Sequence, residues 1–246
     1  MCLSVTWLIL RDSQSFMDQI AHNWRRLEER IARAAELAGR APAEVEVVAI
    51  TKTRSAAAVE AAIRAGLRHV GENKVQEAEA KKDRVHTPAR WHFVGHLQTN
   101  KAGKAVALFD LVQSVDSARL ATALDRRAAE ASRRLDILIQ VNTSGAAQQH
   151  GVSPDELMPL AEAIAALSHL RFRGLMTIAE HGEDASRVRS CFSRLRELGE
   201  RLTATRIEGV EMRYLSMGMS ADFELAIAEG ANLVRLGTAI FGLRSD

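Results

Sequence analysis

Cysteine is nearly missing from this chain: Cys2 and Cys191 are the only two. Two cysteines build no disulfide framework and fit no metal spacing, and a reducing cytoplasm is the natural setting. Aromatic residues are few, at 4%, with Tyr214 the single tyrosine. Charge of one sign is lacking too. The formal net charge is +2, with acids and bases interleaved, which leaves no electrostatic case for nucleic acid or a membrane surface. The apolar stretch from Val5 to Leu10 is far too short to span a bilayer. It also lacks the basic start and clear cleavage site of a signal peptide. No Pro/Gly/Ser-rich linker or low-complexity tract divides the chain, which reads as a single domain.

What is there is a chain of 246 residues, 47% of them hydrophobic, enough to bury a sizeable core. From Asp18, the residues Ile20, Trp24, Leu27, Ile31 and Ala35 recur every three or four positions, opposite Arg25, Arg26, Glu28, Glu29 and Arg33. That is an amphipathic helix, stopped by Gly39 and Pro42. Because the pattern opens at Met17, residues 1–16 are expected to be an upstream extension, disordered or the product of a misplaced start, with residues 17–246 as the folded unit. Short apolar strands then alternate with helices eight times. The strands are expected at Val45–Thr51, His69–Gly71, Trp91–Gly95, Leu111–Val115, Asp136–Val141, Arg173–Ile178, Arg213–Ser216 and Leu233–Leu236. Ser55 is a good cap for the helix that Gly66 stops, and Cys191 falls in the apolar stripe Val188, Phe192, Leu195, Leu198 and Leu202. Such alternation predicts an α/β fold with a parallel sheet, and eight units fit a (β/α)8 TIM barrel with an extra N-terminal helix.

In such a barrel the site lies where the strands end. The first strand, Val47-Val48-Ala49-Ile50-Thr51, stops at Lys52. A lysine at that mouth is costly to desolvate, and a partly neutral amine attacks carbonyls. Ser216-Met217-Gly218-Met219-Ser220 follows strand seven and Gly237-Thr238 follows strand eight, the two loops where barrels frequently hold a phosphate. The glycines admit close backbone approach, the hydroxyls donate, and the helix expected from Ala221 would aim its positive end at the same place. A carbonyl-reactive lysine beside a phosphate grip suggests a phosphosugar aldolase or pyridoxal phosphate. Arg235 favours the second. Two residues before Gly237, it shares that residue's face of the strand and would sit at the level of a pyridine ring. A guanidinium only donates, so it would keep the ring nitrogen unprotonated, a poor electron sink.

The blocks Val48-Ala49-Ile50-Thr51-Lys52-Thr53, Gly71-Glu72-Asn73-Lys74-Val75-Gln76-Glu77, Trp91-His92-Phe93-Val94-Gly95, Gln98-Thr99-Asn100-Lys101, Leu215-Ser216-Met217-Gly218-Met219-Ser220 and Val234-Arg235-Leu236-Gly237-Thr238-Ala239-Ile240-Phe241-Gly242 resemble the pyridoxal phosphate homeostasis protein family. That family is similar to the N-terminal barrel domain of alanine racemases and bacterial ornithine decarboxylase-like enzymes. The resemblance covers roughly residues 18–244. It implies pyridoxal 5'-phosphate held as a Schiff base on Lys52, phosphate contacts from Ser216, Ser220, Gly237 and Thr238, Arg235 near the pyridine nitrogen, Asn73 near the ring and its hydroxyl, and Met217 and Gly218 lining the pocket. It also implies a protein that binds, buffers or delivers the cofactor, with PLP-requiring apoenzymes as partners and little or no catalysis.

One segment departs from the resemblance. In Asn142-Thr143-Ser144-Gly145-Ala146-Ala147-Gln148-Gln149-His150-Gly151, His150 stands where a lysine is usual and the acidic position is neutral. A racemase needs a second base, in the racemases a tyrosine from a further domain. Here the chain ends at Asp246 and Tyr214 lies at the wrong end of strand seven, so no enzyme is expected. The alternatives are a weak racemase using Lys52 alone and a Schiff-base aldolase on a phosphosugar. A monomer is expected, without the usual racemase dimer contact. His92 and His96 flank Gly95, but no Cys or acid beside them completes a metal set, and no metal site is expected. Arg126-Arg127 and Arg133-Arg134 read as solvated helix faces. For the extension, N-terminal sequencing of the native protein is expected to begin at Met17; a native terminus at Met1 contradicts it.

Overall fold

Helix α1 (Leu3–Leu37) leads into the alternating elements. The structure, a computed structural model, describes residues 3–179 and 184–243, with side chains from Phe16 onward. The helix expected from Met17 thus starts earlier, and one continuous helix crosses the boundary drawn at residue 16. Eight parallel strands follow: β1 (Glu46–Ile50), β2 (His69–Glu72), β3 (Arg90–Phe93), β4 (Leu111–Val115), β5 (Leu135–Gln140), β6 (Leu170–Met176), β7 (Val210–Ser216) and β8 (Leu233–Leu236). They close into a barrel in chain order, with β1 pairing both β2 and β8. Between them run α2 (Ala56–Arg64), α3 (Val75–Lys82), α4 (Ala102–Leu108), α5 (Ala118–Glu130), α6 (Leu157–Ala165), α7 (Ala185–Ala204) and α8 (Phe223–Ala228). After β8 comes one turn, α9 (Thr238–Phe241), which periodicity does not reveal. The Ser55 and Ser117 hydroxyls cap α2 and α5, accepting from Ala58 and Leu120 N–H.

Strands β6 and β7 each begin three residues before the expected start. Their first residues mix Arg171, Arg173, Glu211 and Arg213 with apolar ones, and register shifts on both sides of β6 break the alternation. The charges serve the N-terminal end of the barrel. Arg171 Nε lies 2.6 Å and Arg173 Nε 3.3 Å from Asp136 Oδ1, and Arg90 reaches Oδ2. Arg133 and Arg134 belong to this basic bowl and not to a helix face, because α5 ends at Glu130; Arg133 donates to Phe109 O at 2.9 Å.

Apolar packing divides in two. The large cluster lies between sheet and helices and takes in Cys191 as expected. The small one, Val48, Leu111, Leu138, Met176, Tyr214 and Leu233, fills part of the barrel's interior. Helix α1 buries Ile20, Trp24, Leu27, Ile31 and Ala35, packing against α2, α8 and α9, and Asn23 Nδ2 donates to Ile240 O at 2.9 Å. The early helix is therefore a wall holding the end of the chain against its start. Leu27→Ala is expected to destabilise the protein by about 2–5 kcal/mol, read as a shift of the urea midpoint. A loss below about 0.5 kcal/mol, the surface-substitution range, would mean that α1 does not dock.

Candidate functional site

Lys52 stands in a turn just beyond β1. Arg54 N–H donates to Thr51 O at 3.0 Å, and Thr53 takes a left-handed φ of +65°. Such a φ is costly for a β-branched residue, so the turn needs support. It comes from below. The Lys81 ammonium, buried on α3, donates to Thr51 O at 2.8 Å and to Glu72 Oε1 at 2.7 Å. Thr51 Oγ1 donates to the same Glu72 oxygen at 2.7 Å, and Thr53 N–H to Glu77 Oε2 at 2.7 Å. Glu72 is fully buried at the end of β2; burial pushes its carboxyl up, against the pull of Lys81 and Thr51. Its second oxygen has no hydrogen-bond partner among the described residues. Lys52 itself is exposed. The desolvation expected of it is not built into the strand end, because the chain turns outward after the buried Thr51. What β1 supplies is placement.

Around the rim, β7, β8, β1 and β2 are consecutive neighbours. Lys52, the half-buried Asn73, the 216–220 loop and Gly237-Thr238 therefore share one arc. Gly95 has no side chain for a steric reason: a Cβ there would fall 2.1 Å from Asn73 O. In the loop after β7, Gly218 has φ +91°, and a Cβ would meet Ala226 Cβ at 2.5 Å, so that backbone is open to glycine alone. Ser220 Oγ accepts from Gly237 and Ala239 N–H, each at 3.3 Å, tying the two loops into one cup with the exposed Thr238 at its edge.

Three expected residues take other positions. Helix α8 starts at Phe223, and the Asp222 carboxylate before it accepts from Met219 N–H. The helix expected from Ala221 thus begins two residues later, with Asp222 turned back to Met219 and making no cap bond to the helix, and the N–H groups that meet Ser220 are those of Gly237 and Ala239 at the start of α9. Met217 is fully buried in the outer cluster that holds Phe223, Ala226 and Ile227. Strand alternation sends its side chain away from the interior, leaving its backbone to face the cup. Ser216 points inward, but its hydroxyl is engaged: it donates to Gln113 Oε1 at 2.6 Å and accepts from Arg235 Nη1 at 2.7 Å.

Those bonds belong to a polar file through the barrel. Gln113 Nε2 can only donate, so His92 Nδ1 accepts its bond at 2.8 Å. His92 Nε2–H then donates to His69 Nδ1 at 3.0 Å, and His69 Nε2–H to Glu46 Oε2 at 3.0 Å. All the donors run one way, from Arg235 through Ser216, Gln113, His92 and His69 to Glu46. Full burial holds His92 well below the usual imidazole range, hence neutral, while the bond from His69 holds Glu46 down as a carboxylate. Desolvation lowers Arg235 to about 10, still cationic at neutral pH. Its Nη2 donates to Thr177 O at 2.7 Å, and it makes no ion pair among the described residues. Gln113 and His69 were not foreseen as members. Only their alternation on β4 and β2 hinted at an inward polar face.

Tyr214 is buried; its hydroxyl donates to Glu46 Oε2 at 3.3 Å and accepts from Arg90 at 3.1 Å. It therefore belongs to the lower end of the barrel. His92 and His96 part company. His92 lies within the file, whereas His96 is exposed at the rim, 3.6 Å from Asp116 and stacked on His150.

Comparison with known proteins places these features. A family model described as the alanine racemase N-terminal domain matches residues 17–245. A pyridoxal phosphate homeostasis protein of Pseudomonas aeruginosa is 43% identical over 229 residues, covering 93% of this chain and 97% of that protein. One from Escherichia coli K12 is 41% identical over 238 residues, covering 93% and 98%. The structure of PipY of Synechococcus elongatus with PLP bound has TM-score 0.77 at 40% identity, over 86% of this chain and all of that one. A D-threonine aldolase from Filomicrobium marinum, at 19% identity and TM-score 0.72, covers 91% of this chain and 60% of the aldolase, and shares the fold.

The buried pair beneath Lys52 has a measurable signature. Glu72→Ala is expected to cost up to about 3–5 kcal/mol, because it leaves the buried Lys81 ammonium with Glu77 Oε2, at 3.5 Å, as its remaining acidic partner among the described residues. The double replacement Glu72→Leu with Lys81→Met should cost far less. Equal losses from single and double variants in urea unfolding would show that the pair is not coupled.

Proposed function

This chain belongs to the pyridoxal phosphate homeostasis protein family, and from that premise we propose that it holds pyridoxal 5'-phosphate through Lys52 as a reservoir or donor, with little or no catalysis. The observation that carries this is the convergence on one arc of an amine, a two-loop cup and a buried arginine that makes no ion pair among the described residues. When bound, the cofactor supplies an aldehyde that condenses with a primary amine and releases water.

The residues fit that group. The Lys52 amine is exposed at the mouth and set by the turn on Lys81 and Glu72. Ser220, Thr238 and the backbone at Gly218 and Gly237 form a cup whose two loops Ser220 Oγ ties together, with the glycine at 218 letting its loop pack closely on Ala226 of α8. Ser216 enters by holding Arg235, and Asn73 edges the ring position. Arg235 donates and accepts nothing. A ring nitrogen facing it stays unprotonated, which weakens electron withdrawal and favours holding the cofactor over carbanion chemistry. Tyr214, bound to Arg90 and Glu46, supports the same reading, since it is not at the mouth to serve as a second base. Recipient apoenzymes in the cytoplasm and a monomeric state complete the proposal; no helix among the described residues is long and apolar enough to cross a membrane.

The purified protein loaded with pyridoxal phosphate is expected to show a visible absorption band that Lys52→Ala abolishes, and borohydride reduction should fix the cofactor mass on the Lys52 peptide. An adduct on Lys74, Lys81 or Lys101 instead, or no band, would overturn the assignment. Turnover of a D- or L-amino acid at about 1 s⁻¹ or faster would overturn the non-catalytic reading.

A further inference from the structure

We propose that His96, Asp116 and His150 form a divalent transition-metal site on the barrel rim. The three come from successive strand ends. His96 lies just beyond β3, Asp116 directly after β4, and His150 in the loop after β5. One donor atom from each falls within 4.8 Å of the others. His96 Nδ1 is 3.6 Å from Asp116 Oδ2, too long for a hydrogen bond, so imidazole and carboxylate face each other without being joined. The His96 and His150 rings stack with centroids 4.1 Å apart and planes 11° from parallel.

The frame that presents these groups is fixed by bonds of its own. Asn142 Oδ1 accepts from Ser144 Oγ and Gly145 N–H, each at 3.0 Å, and Asn142 Nδ2 donates to Ala146 O at 2.8 Å. Gln140 Nε2 then donates to His150 O at 3.0 Å, so the end of the loop is pinned to β5. The 142–151 loop is folded so that His150 lands on His96.

Two neutral imidazoles and one carboxylate are the donor set of borderline ions such as Zn²⁺, Co²⁺ and Ni²⁺; Ca²⁺ and Mg²⁺ take oxygen ligands. An ion about 2.0–2.2 Å from each donor needs those donors about 3.3 Å apart in tetrahedral geometry. Both histidines are exposed, so rotation of the side chains closes the difference and fans the rings, whose lone pairs lie in their planes. Three protein ligands leave a fourth position for water. The site lies on the β3–β5 arc, across the mouth from Lys52 and the cup.

The test is calorimetric titration of Zn²⁺ into the full-length, chelator-treated protein, with a visible spectrum after Co²⁺ addition. One equivalent is expected to bind, and Co²⁺ to give the intense d–d absorption of a tetrahedral site. His96→Ala, Asp116→Asn and His150→Ala should each weaken Zn²⁺ binding by at least the ~10–100-fold that loss of a mere supporting residue costs a metal site, with unchanged melting temperature in the absence of metal. Absence of binding, or undiminished binding by the double variant His96→Ala with His150→Ala, would overturn the proposal.

Discussion

The site depends on a buried ion pair. Lys81 and Glu72 meet at 2.7 Å beneath the end of β1, and Lys81 also holds Thr51 O at 2.8 Å. Burying two opposite charges costs several kcal/mol per ion, and their attraction repays this when geometry and further hydrogen bonds are good. Here the further bonds go to the backbone that carries Lys52. The pair spans β2 and α3 and reaches β1, so the lysine's position is set by three elements and not by its own turn. The left-handed Thr53 is tolerable in that setting because Glu77 takes its N–H.

A second constraint acts inside the barrel. Barrel interiors are usually layers of branched apolar side chains, and Val48, Leu111, Leu138 and Met176 form such a filling here. Beside them runs the file from Arg235 to Glu46. An isolated buried guanidinium would be prohibitively costly. Each group in the file is polarised toward a carboxylate at the far end, in a low-dielectric interior that strengthens every link, and the Asp222 carboxylate favours the Arg235 charge through space. Arg235 is held in place by Ser216 Oγ and Thr177 O.

Much of this was legible. The eight strands, the leading helix, the serine cap of α2 and the strand-end positions of Lys52, Asn73, Ser220, Gly237 and Thr238 follow from period, punctuation and chain order. The misses have physical causes. Met217 and Ser216 alternate, so one of them must turn from the mouth, and which one depends on the register of β7. Asp222 turns back to Met219 N–H and α8 starts only at Phe223, a local competition that a dipole argument overlooks. Nothing in the sequence singles out Glu72 and Lys81, because nine residues of separation say nothing about a shared buried carbonyl.

The amino-acid order alone determined the type of unit, its number and the positions at which chemistry could sit, because hydrophobic period and turn residues are local properties. Closure of the barrel decided the rest. Pairing of β7 with β8 sets Arg235 against Ser216, and only when β8 pairs with β1 does the cup face Lys52. Only when three successive loops rise from adjacent strands do His96, Asp116 and His150 meet. Contacts between residues tens of positions apart are set by shear and register, which no local pattern encodes.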